Sequence, residues 1–194
     1  MLTKAEPSMN PADDDAGTPV SVKIRERIKA TGATRWTIEP CAVSGRSGTL
    51  GLAVSRMEQG GWNSAASSNR VDRRVRCRKL SSLAPDATVV KLDIEGHEYA
   101  VLDEALPRLR SVHTWAVELH MVAERPLQQA LGAFMAEGYR VYASCQDLSD
   151  PTGRWLTQEV TASLSWAQIG VAKRFVDGRE FKMLHVIATR RLLG

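Results

Sequence analysis

Acidic side chains and a histidine follow two apolar segments of this 194-residue chain. Asp93 and Glu95 come directly after the apolar run over residues 87–92, and Glu118 and His120 end the next such run. Carboxylates and an imidazole can accept a proton, hold a metal ion or bind hydroxyl groups. An acid directly after a buried strand costs free energy unless it is paired or used. The pattern therefore favours a functional site.

The residues between and after the first two acids suggest a tight turn. Gly96 allows the backbone to come close to a ligand. Glu98 falls in the first turn of the helix predicted next, where the helix dipole favours a negative charge. Two interpretations of Glu98 stay open: a residue placed there for the dipole, and a residue that contacts a substrate. The other histidines, His97, His113 and His185, have no comparable sequence context.

A divalent cation on Asp93, Glu118 and His120 would have suitable ligand types. The spacing of these residues is not diagnostic of a metal centre, and the sequence by itself assigns none. The three cysteines are odd in number and widely spaced, without a Cys-x-x-Cys pair. Neither a disulfide framework nor a structural zinc site is indicated, which suits a reducing compartment.

Alternating strands and helices must position these side chains. This alternation predicts an α/β domain with a mainly parallel sheet, in which ligands bind beyond the carboxyl ends of the strands. If the strands before Asp93 and around Glu118 are neighbours, three carboxylates and an imidazole converge. Strands are predicted at 35–38, 49–54, 75–80, 87–92, 114–119, 139–143 and 182–189, helices at 20–28, after Glu98 and at 126–137, a turn at 45–48, a single helical turn at Ser81 and a loop at 57–69.

The composition is that of a soluble globular protein, with 43% hydrophobic and 25% charged residues. It excludes a fully disordered chain, a collagen and a coiled-coil rod. No apolar run approaches the roughly 20 residues of a membrane-spanning helix, and the N-terminus lacks the apolar segment of a signal peptide. We expect a cytoplasmic protein with a flexible leader over residues 1–19 and one domain over 20–194.

The net charge of +4 is mild, but much of it lies between residues 70 and 79. Val71, Val75 and Cys77 interleave with the basic residues, and this alternation favours the solvated face of a strand over nucleic-acid binding. A basic cluster can also bind phosphates, so both interpretations are kept. The basic residues are Arg70, Arg73, Arg74, Arg76, Arg78 and Lys79.

Five ordered segments between about residues 35 and 144 resemble FkbM-type methyltransferases. The segment V-V-K-L-D-I-E-G-H-E-Y-A-V-L-D-E-A-L, residues 89–106, resembles the signature of that family. Residues 42–54, 60–67, 75–83 and 115–120 resemble the flanking blocks in the same order. One departure lies in the first block, where Ser44 and Gly45 stand in place of Gly and Asp.

The resemblance implies a Rossmann-like class I methyltransferase sheet, mostly parallel, with residues 182–189 as an antiparallel last strand. It implies S-adenosylmethionine as the cofactor and an oxygen atom of a small molecule, sugar or lipid as the methyl acceptor. The residues we assign on this basis are Asp93, Glu95, Glu118 and His120 for catalysis, Glu6 and Asp93 for the cofactor, and Asn63, Ser64, Glu98 and His120 for the acceptor.

The beginning of the chain departs from the family pattern, which needs a first strand and a Gly-rich turn. Glu6–Pro7 is a candidate for the acidic pair that ends the family's second strand, with residues 11–18 as an insertion. We expect a domain without the first β-α unit and a sheet with an uncovered edge, which favours homodimers or aggregation. Two functions stay open: an O-methyltransferase, and a non-catalytic module that binds an anionic partner such as nucleic acid through residues 70–79.

Overall fold

The computed structural model describes residues 26, 29–30, 32, 37–54, 63–65, 73–120, 124–146, 155–161, 172–176 and 179–191, which form two sheets. The described strands are β1 Ala42–Ser44, β2 Gly48–Val54, β3 Asn63–Ala65, β4 Arg73–Lys79, β5 Val89–Leu92, β6 Thr114–His120, β7 Arg140–Gln146, β8 Trp155–Val160, β9 Ala172–Val176 and β10 Arg179–Thr189. The helices with described bounds are α1 Leu80–Leu83, α2 Glu98–Ala105 and α3 Glu124–Ala136.

The larger sheet contains six strands in the order β5-β6-β10-β7-β8, with β9 paired to β10. Strands β5 and β6 are parallel, and Leu92 lies opposite Val117. Strand β10 runs antiparallel to both β6 and β7, so the predicted antiparallel last strand is confirmed. A mainly parallel sheet is not confirmed, because the remaining pairings of this sheet in the described residues are antiparallel.

The smaller sheet has the strand order β1-β4-β2-β3. The strands predicted at 49–54 and 75–80 are confirmed as β2 and β4, which pair antiparallel, and β1 pairs parallel with β4. The loop predicted over 57–69 contains β3, which pairs with the end of β2. A sequence of low strand propensity here forms a strand because β2 offers a partner.

Two further predictions differ from the structure, and a third falls mostly outside the described residues. Residues 37 and 38 of the predicted strand over 35–38 are irregular, and the strand forms after Pro40 instead, where it can pair with β4. The strand predicted at 87–92 begins at Val89 and is covered on one face, because Val89 and Lys91 are exposed. Of the predicted helix over 20–28 only Glu26 is described, and it is helical; the leader lies outside the described residues.

The core lies between the larger sheet and the helices α2 and α3. One face of α2 packs into this core, where Val101, Leu102 and Ala105 are buried. Helix α2 ends at Ala105, two residues before Pro107, which cannot continue it. No helix among the described residues is long and apolar enough to cross a membrane.

Three aromatic rings connect α3 to the sheet. Trp115 and Phe134 make an edge-to-face contact at 6.0 Å, and Phe134 and Tyr139 make another at 5.8 Å. The Trp115 indole N–H donates to the Tyr139 hydroxyl at 3.2 Å, and that hydroxyl donates to the carbonyl oxygen of Val112. Each buried polar atom of this group therefore has a partner, as burial requires.

Candidate active site

The parallel pairing of β5 and β6 brings the predicted acids together. Asp93 follows the last residue of β5, and the opposite strand continues from Val117 to Glu118 and His120. The His120 Nε2 atom lies 3.3 Å from a Glu118 oxygen, 3.6 Å from a Glu95 oxygen and 4.0 Å from an Asp93 oxygen. The predicted convergence is confirmed. We call Asp93, Glu95, Glu98, Glu118 and His120 the His120 cluster.

Glu98 is the buried member of the cluster and hydrogen bonds to the residues around it. Its side chain is 0% exposed, and its Oε1 atom accepts a hydrogen bond from His120 Nδ1 at 2.9 Å. The same carboxylate accepts the backbone N–H of Ile94 at 3.0 Å and that of Gly96 at 3.0 Å. These contacts orient the imidazole and the turn together, so they give Glu98 a positioning role. Its predicted contact with the acceptor stays a prediction.

The turn after β5 is tight, as predicted. Glu95 has a φ of +53° and Gly96 a φ of +93°, both in the left-handed region. A residue other than glycine is strained there and persists because the surrounding structure holds it. The strained residue is Glu95, whose carboxylate faces His120. Hydrogen bonds from the backbone N–H groups on either side of Glu95 to the Glu98 carboxylate stabilise the turn.

The cluster attracts positive charge. Partial burial and the neighbouring carboxylates raise the pKa of Glu95, although His120 acts in the opposite direction. Burial alone would raise the pKa of Glu98, but hydrogen bonds from His120 and the backbone hold it below its ordinary value. Burial alone would lower the pKa of His120; the hydrogen bond to Glu98 and the charges of Glu95 and Glu118 outweigh burial and raise it.

Two basic side chains border the cluster. Lys91 Nζ lies 2.6 Å from an Asp93 oxygen and is mostly exposed. His185, on β10, lies opposite Glu118 in the strand register, and its Nε2 atom is 3.9 Å from a Glu118 oxygen. The residues next to His185 in the sequence do not predict its place at this site. Its position depends on how β10 pairs with β6, and the spacing of residues along the sequence does not reveal that pairing.

His97 connects the smaller sheet to the start of α2, next to the cluster. Its Nε2 atom lies 2.9 Å from the hydroxyl oxygen of Ser44, at the end of β1. Burial lowers the pKa of His97, although the charge of Glu98 acts to raise it. A neutral, hydrogen-bonded imidazole at the start of α2 fits a structural role.

For the other predicted site residues, only the backbone of Asn63 and Ser64 is among the described parts of the chain. The backbone of Asn63 and Ser64 lies in β3, on the smaller sheet, where it pairs with the end of β2. Glu6 lies outside the described residues. The predicted roles of these three residues stay predictions.

Part of the basic segment, Arg74, Arg76 and Arg78, lies on one face of β4. Arg74 and Arg76 are exposed, as expected of a solvated strand face, and Val75 and Cys77 point to the other side. Arg78 lies on the same face as Arg74 and Arg76 and pairs with Glu39 at 3.6 Å.

Comparison with known proteins identifies the domain. A family model described as the Methyltransferase FkbM domain matches residues 6–141, well over half of the chain. The whole His120 cluster lies inside the matched range, and β10 lies outside it. Neither the curated proteins nor the solved structures gave a significant match.

Proposed function

The chain belongs to the FkbM methyltransferase domain family, and from this membership we propose that it transfers a methyl group from S-adenosylmethionine to an oxygen atom of a small molecule, sugar or lipid. The observation that supports the proposal is the His120 cluster at the carboxyl ends of the parallel strands β5 and β6. Ligands of α/β sheets bind at such ends.

The charges of the cluster fit the cofactor. S-adenosylmethionine carries positive charge on its sulfonium and amino groups and has hydroxyl groups on its ribose. Asp93 and Glu95 are carboxylates with 37% and 33% of their side-chain surface exposed, so they can meet such groups from solvent. When bound, the cofactor supplies an electrophilic methyl group on a good leaving group. Asp93 keeps the cofactor-binding role assigned to it.

The residues of the chain would position the acceptor and receive its proton. Positioning supplies most of the catalysis in a displacement of this kind. Glu118 and the Nε2 atom of His120 lie beside Asp93 and Glu95 and would contact the acceptor hydroxyl. Glu95, fixed by the strained turn and partly exposed, would accept the hydroxyl proton on its carboxylate.

Calorimetric titration of S-adenosylmethionine and S-adenosylhomocysteine into the purified chain tests the proposal. We expect saturable binding of one ligand per chain, weakened by Asp93→Asn. The control Glu39→Gln removes one exposed carboxylate outside the cluster and should bind like the parent. Folded protein that gives neither heat nor a thermal shift with either ligand would contradict the proposal.

Catalysis by Glu95 has a separate test. With a panel of sugar, lipid and phenol acceptors, release of S-adenosylhomocysteine reports turnover. We expect Glu95→Gln to lower that rate about 10²-fold or more, with a smaller change in cofactor affinity. An unchanged rate would mean that a group other than Glu95 accepts the proton of the acceptor hydroxyl.

The alternative function, an anion-binding module without catalysis, is supported by one observation, the exposed Arg74 and Arg76 on a single face of β4. These arginines lie on the smaller sheet, whereas the His120 cluster lies on the larger one. The two functions therefore depend on different residues and can be separated by mutation.

A further inference from the structure

We propose that Asp93, Glu118 and His120 form a binding site for one divalent cation of the first transition row. Each residue offers one ligand atom, and these atoms all lie within 4.8 Å of one another. The proposal does not rest on the methyltransferase function, because it concerns the free chain.

The geometry of His120 is that of an oriented metal ligand. Its side chain is only 8% exposed, and its Nδ1 atom is held by the buried carboxylate of Glu98. In metal sites a carboxylate on one imidazole nitrogen fixes the ring and directs the other nitrogen to the ion. Here the other nitrogen, Nε2, faces the oxygens of Glu118 and Asp93.

The separations of the ligand atoms also suit an ion. Ligand atoms about 2.1 Å from a common ion lie roughly 3.0 to 4.2 Å from one another. The Nε2 atom lies 3.3 Å from Glu118 and 4.0 Å from Asp93. The ligand oxygens of the two acids lie within 4.8 Å of each other, and the two residues lie at the ends of neighbouring, hydrogen-bonded strands.

The charge around this position calls for a cation. Asp93, Glu95, Glu98 and Glu118 place four carboxylates around one imidazole. Lys91 contacts Asp93 from solvent, on the oxygen that does not face His120. Lys91 and the imidazole of His120 balance only part of this negative charge, and a bound cation would offset the remaining excess.

The mixed ligand set indicates the kind of ion. Mg²⁺ and Ca²⁺ prefer oxygen ligands alone, whereas imidazole suits first-row ions such as Fe²⁺, Co²⁺ and Zn²⁺. His185 adds a second imidazole 3.9 Å from the other oxygen of Glu118. A cation here would lower the pKa of an acceptor hydroxyl, and Glu95, which is not among the three ligands, would keep its carboxylate for the proton.

Titration of the full chain with Mn²⁺, followed by the loss of the free-ion electron paramagnetic resonance signal, tests the site. Mn²⁺ accepts oxygen and nitrogen ligands and has little affinity for the free thiols of this chain. We expect one site per chain. Asp93→Asn and Glu118→Gln should each weaken binding tenfold or more, and the double variant should abolish it. Competition by Zn²⁺ should release the bound Mn²⁺, whereas equal Mg²⁺ should not.

Two variants provide matched controls. Asp103→Asn and Glu39→Gln each remove one exposed carboxylate away from the cluster and should bind Mn²⁺ like the parent. Circular dichroism of each variant tests whether it is folded. The proposal is overturned if millimolar Mn²⁺ does not bind, or if the double variant binds it as tightly as the parent. Because neither cofactor nor acceptor is present, these outcomes are independent of the calorimetric test with S-adenosylmethionine.

Discussion

Glu98 shows how one buried side chain can set the geometry of several others. It accepts hydrogen bonds from the imidazole of His120 and from two backbone N–H groups of the turn that carries Glu95. A carboxylate can accept all of these bonds, whereas an amide of the same shape has one oxygen and turns an N–H group toward the remaining donors. The ionised form of Glu98 is therefore part of the structure.

Replacing Glu98 by Gln should lower the free energy of unfolding by about 1–3 kcal/mol, because hydrogen bonds to a charged group are lost inside the protein. The same change should weaken Mn²⁺ binding about 10- to 100-fold by releasing the orientation of His120. Chemical denaturation and the Mn²⁺ titration measure these effects, with Asp103→Asn as the control. Parent-like values in both experiments would remove the positioning role.

Two tyrosines allow a comparison of a buried hydroxyl group without a hydrogen-bond partner in the described part of the chain and one with two. The Tyr99 hydroxyl is buried and has no hydrogen-bond partner among the described residues, and burial raises its pKa. Tyr99→Phe should leave stability unchanged or raise it by up to about 1 kcal/mol. Tyr139→Phe breaks two buried hydrogen bonds and should cost about 1–3 kcal/mol. Equal effects in thermal unfolding would contradict this account.

Residues of the site were predictable where local pattern sufficed. Asp93, Glu95, Glu118 and His120 each follow or end an apolar run, and parallel strands place such positions at one edge. His185 was not predictable, because its relevance depends on β10 lying beside β6, far along the chain. The anchoring role of Glu98 was also hidden, since a first-turn acid has an adequate explanation in the helix dipole.

At the scale of elements, the smaller sheet meets α2 through the turn after β1. A Cβ atom at Gly45 would lie 2.4 Å from the backbone oxygen of Ala100, closer than real side chains come. Ser44 and His97 hydrogen bond at the same junction. The turn and the helix are thus in direct backbone contact, and the absence of a side chain at Gly45 makes that contact possible.

Gly45→Ala should lower the free energy of unfolding by about 1–3 kcal/mol, because the turn and α2 must separate. Gly132→Ala is the control: it lies inside α3 in open space and should stabilise the protein by about 0.5–1 kcal/mol through helix propensity. Chemical denaturation of both variants gives the comparison. A Gly45→Ala protein as stable as the parent would show that this contact is loose.

Elements were predictable where an apolar pattern spans a whole segment. Strands β5 and β6 and helix α2 fall close to their predicted places because their buried residues recur with a clear period. Strands β1 and β3 are three residues each and depend on pairing with β4 and β2. Pairing between distant segments leaves little trace in the sequence of so short a strand.

At the scale of the whole molecule, acidic and basic groups lie on different sheets. The His120 cluster belongs to the larger sheet, and the exposed arginines of β4 belong to the smaller one. The net charge of +4 therefore does not describe the surroundings of the site, which are acidic. An anionic polymer and a cationic ligand would favour different parts of this surface.

The double variant Arg74→Ser, Arg76→Ser should bind S-adenosylhomocysteine like the parent chain. Binding of the parent to duplex DNA should be weak and lost by about 200 mM salt, as for non-specific contact with phosphates. Fluorescence anisotropy at a series of salt concentrations measures it. Binding that survives at that salt concentration and disappears in the double variant would favour the anion-binding module over the enzyme.

All five members of the His120 cluster come from one continuous segment, residues 89–120. In this segment two parallel strands precede and follow α2 along the chain. Local opening of that segment would dismantle the entire cluster in a single cooperative event. Conversely, any molecule held there should slow amide hydrogen–deuterium exchange across both strands and the helix at once, leaving β8 and β9 at their original rates. A bound ligand would therefore protect one contiguous peptide of the chain from amide exchange.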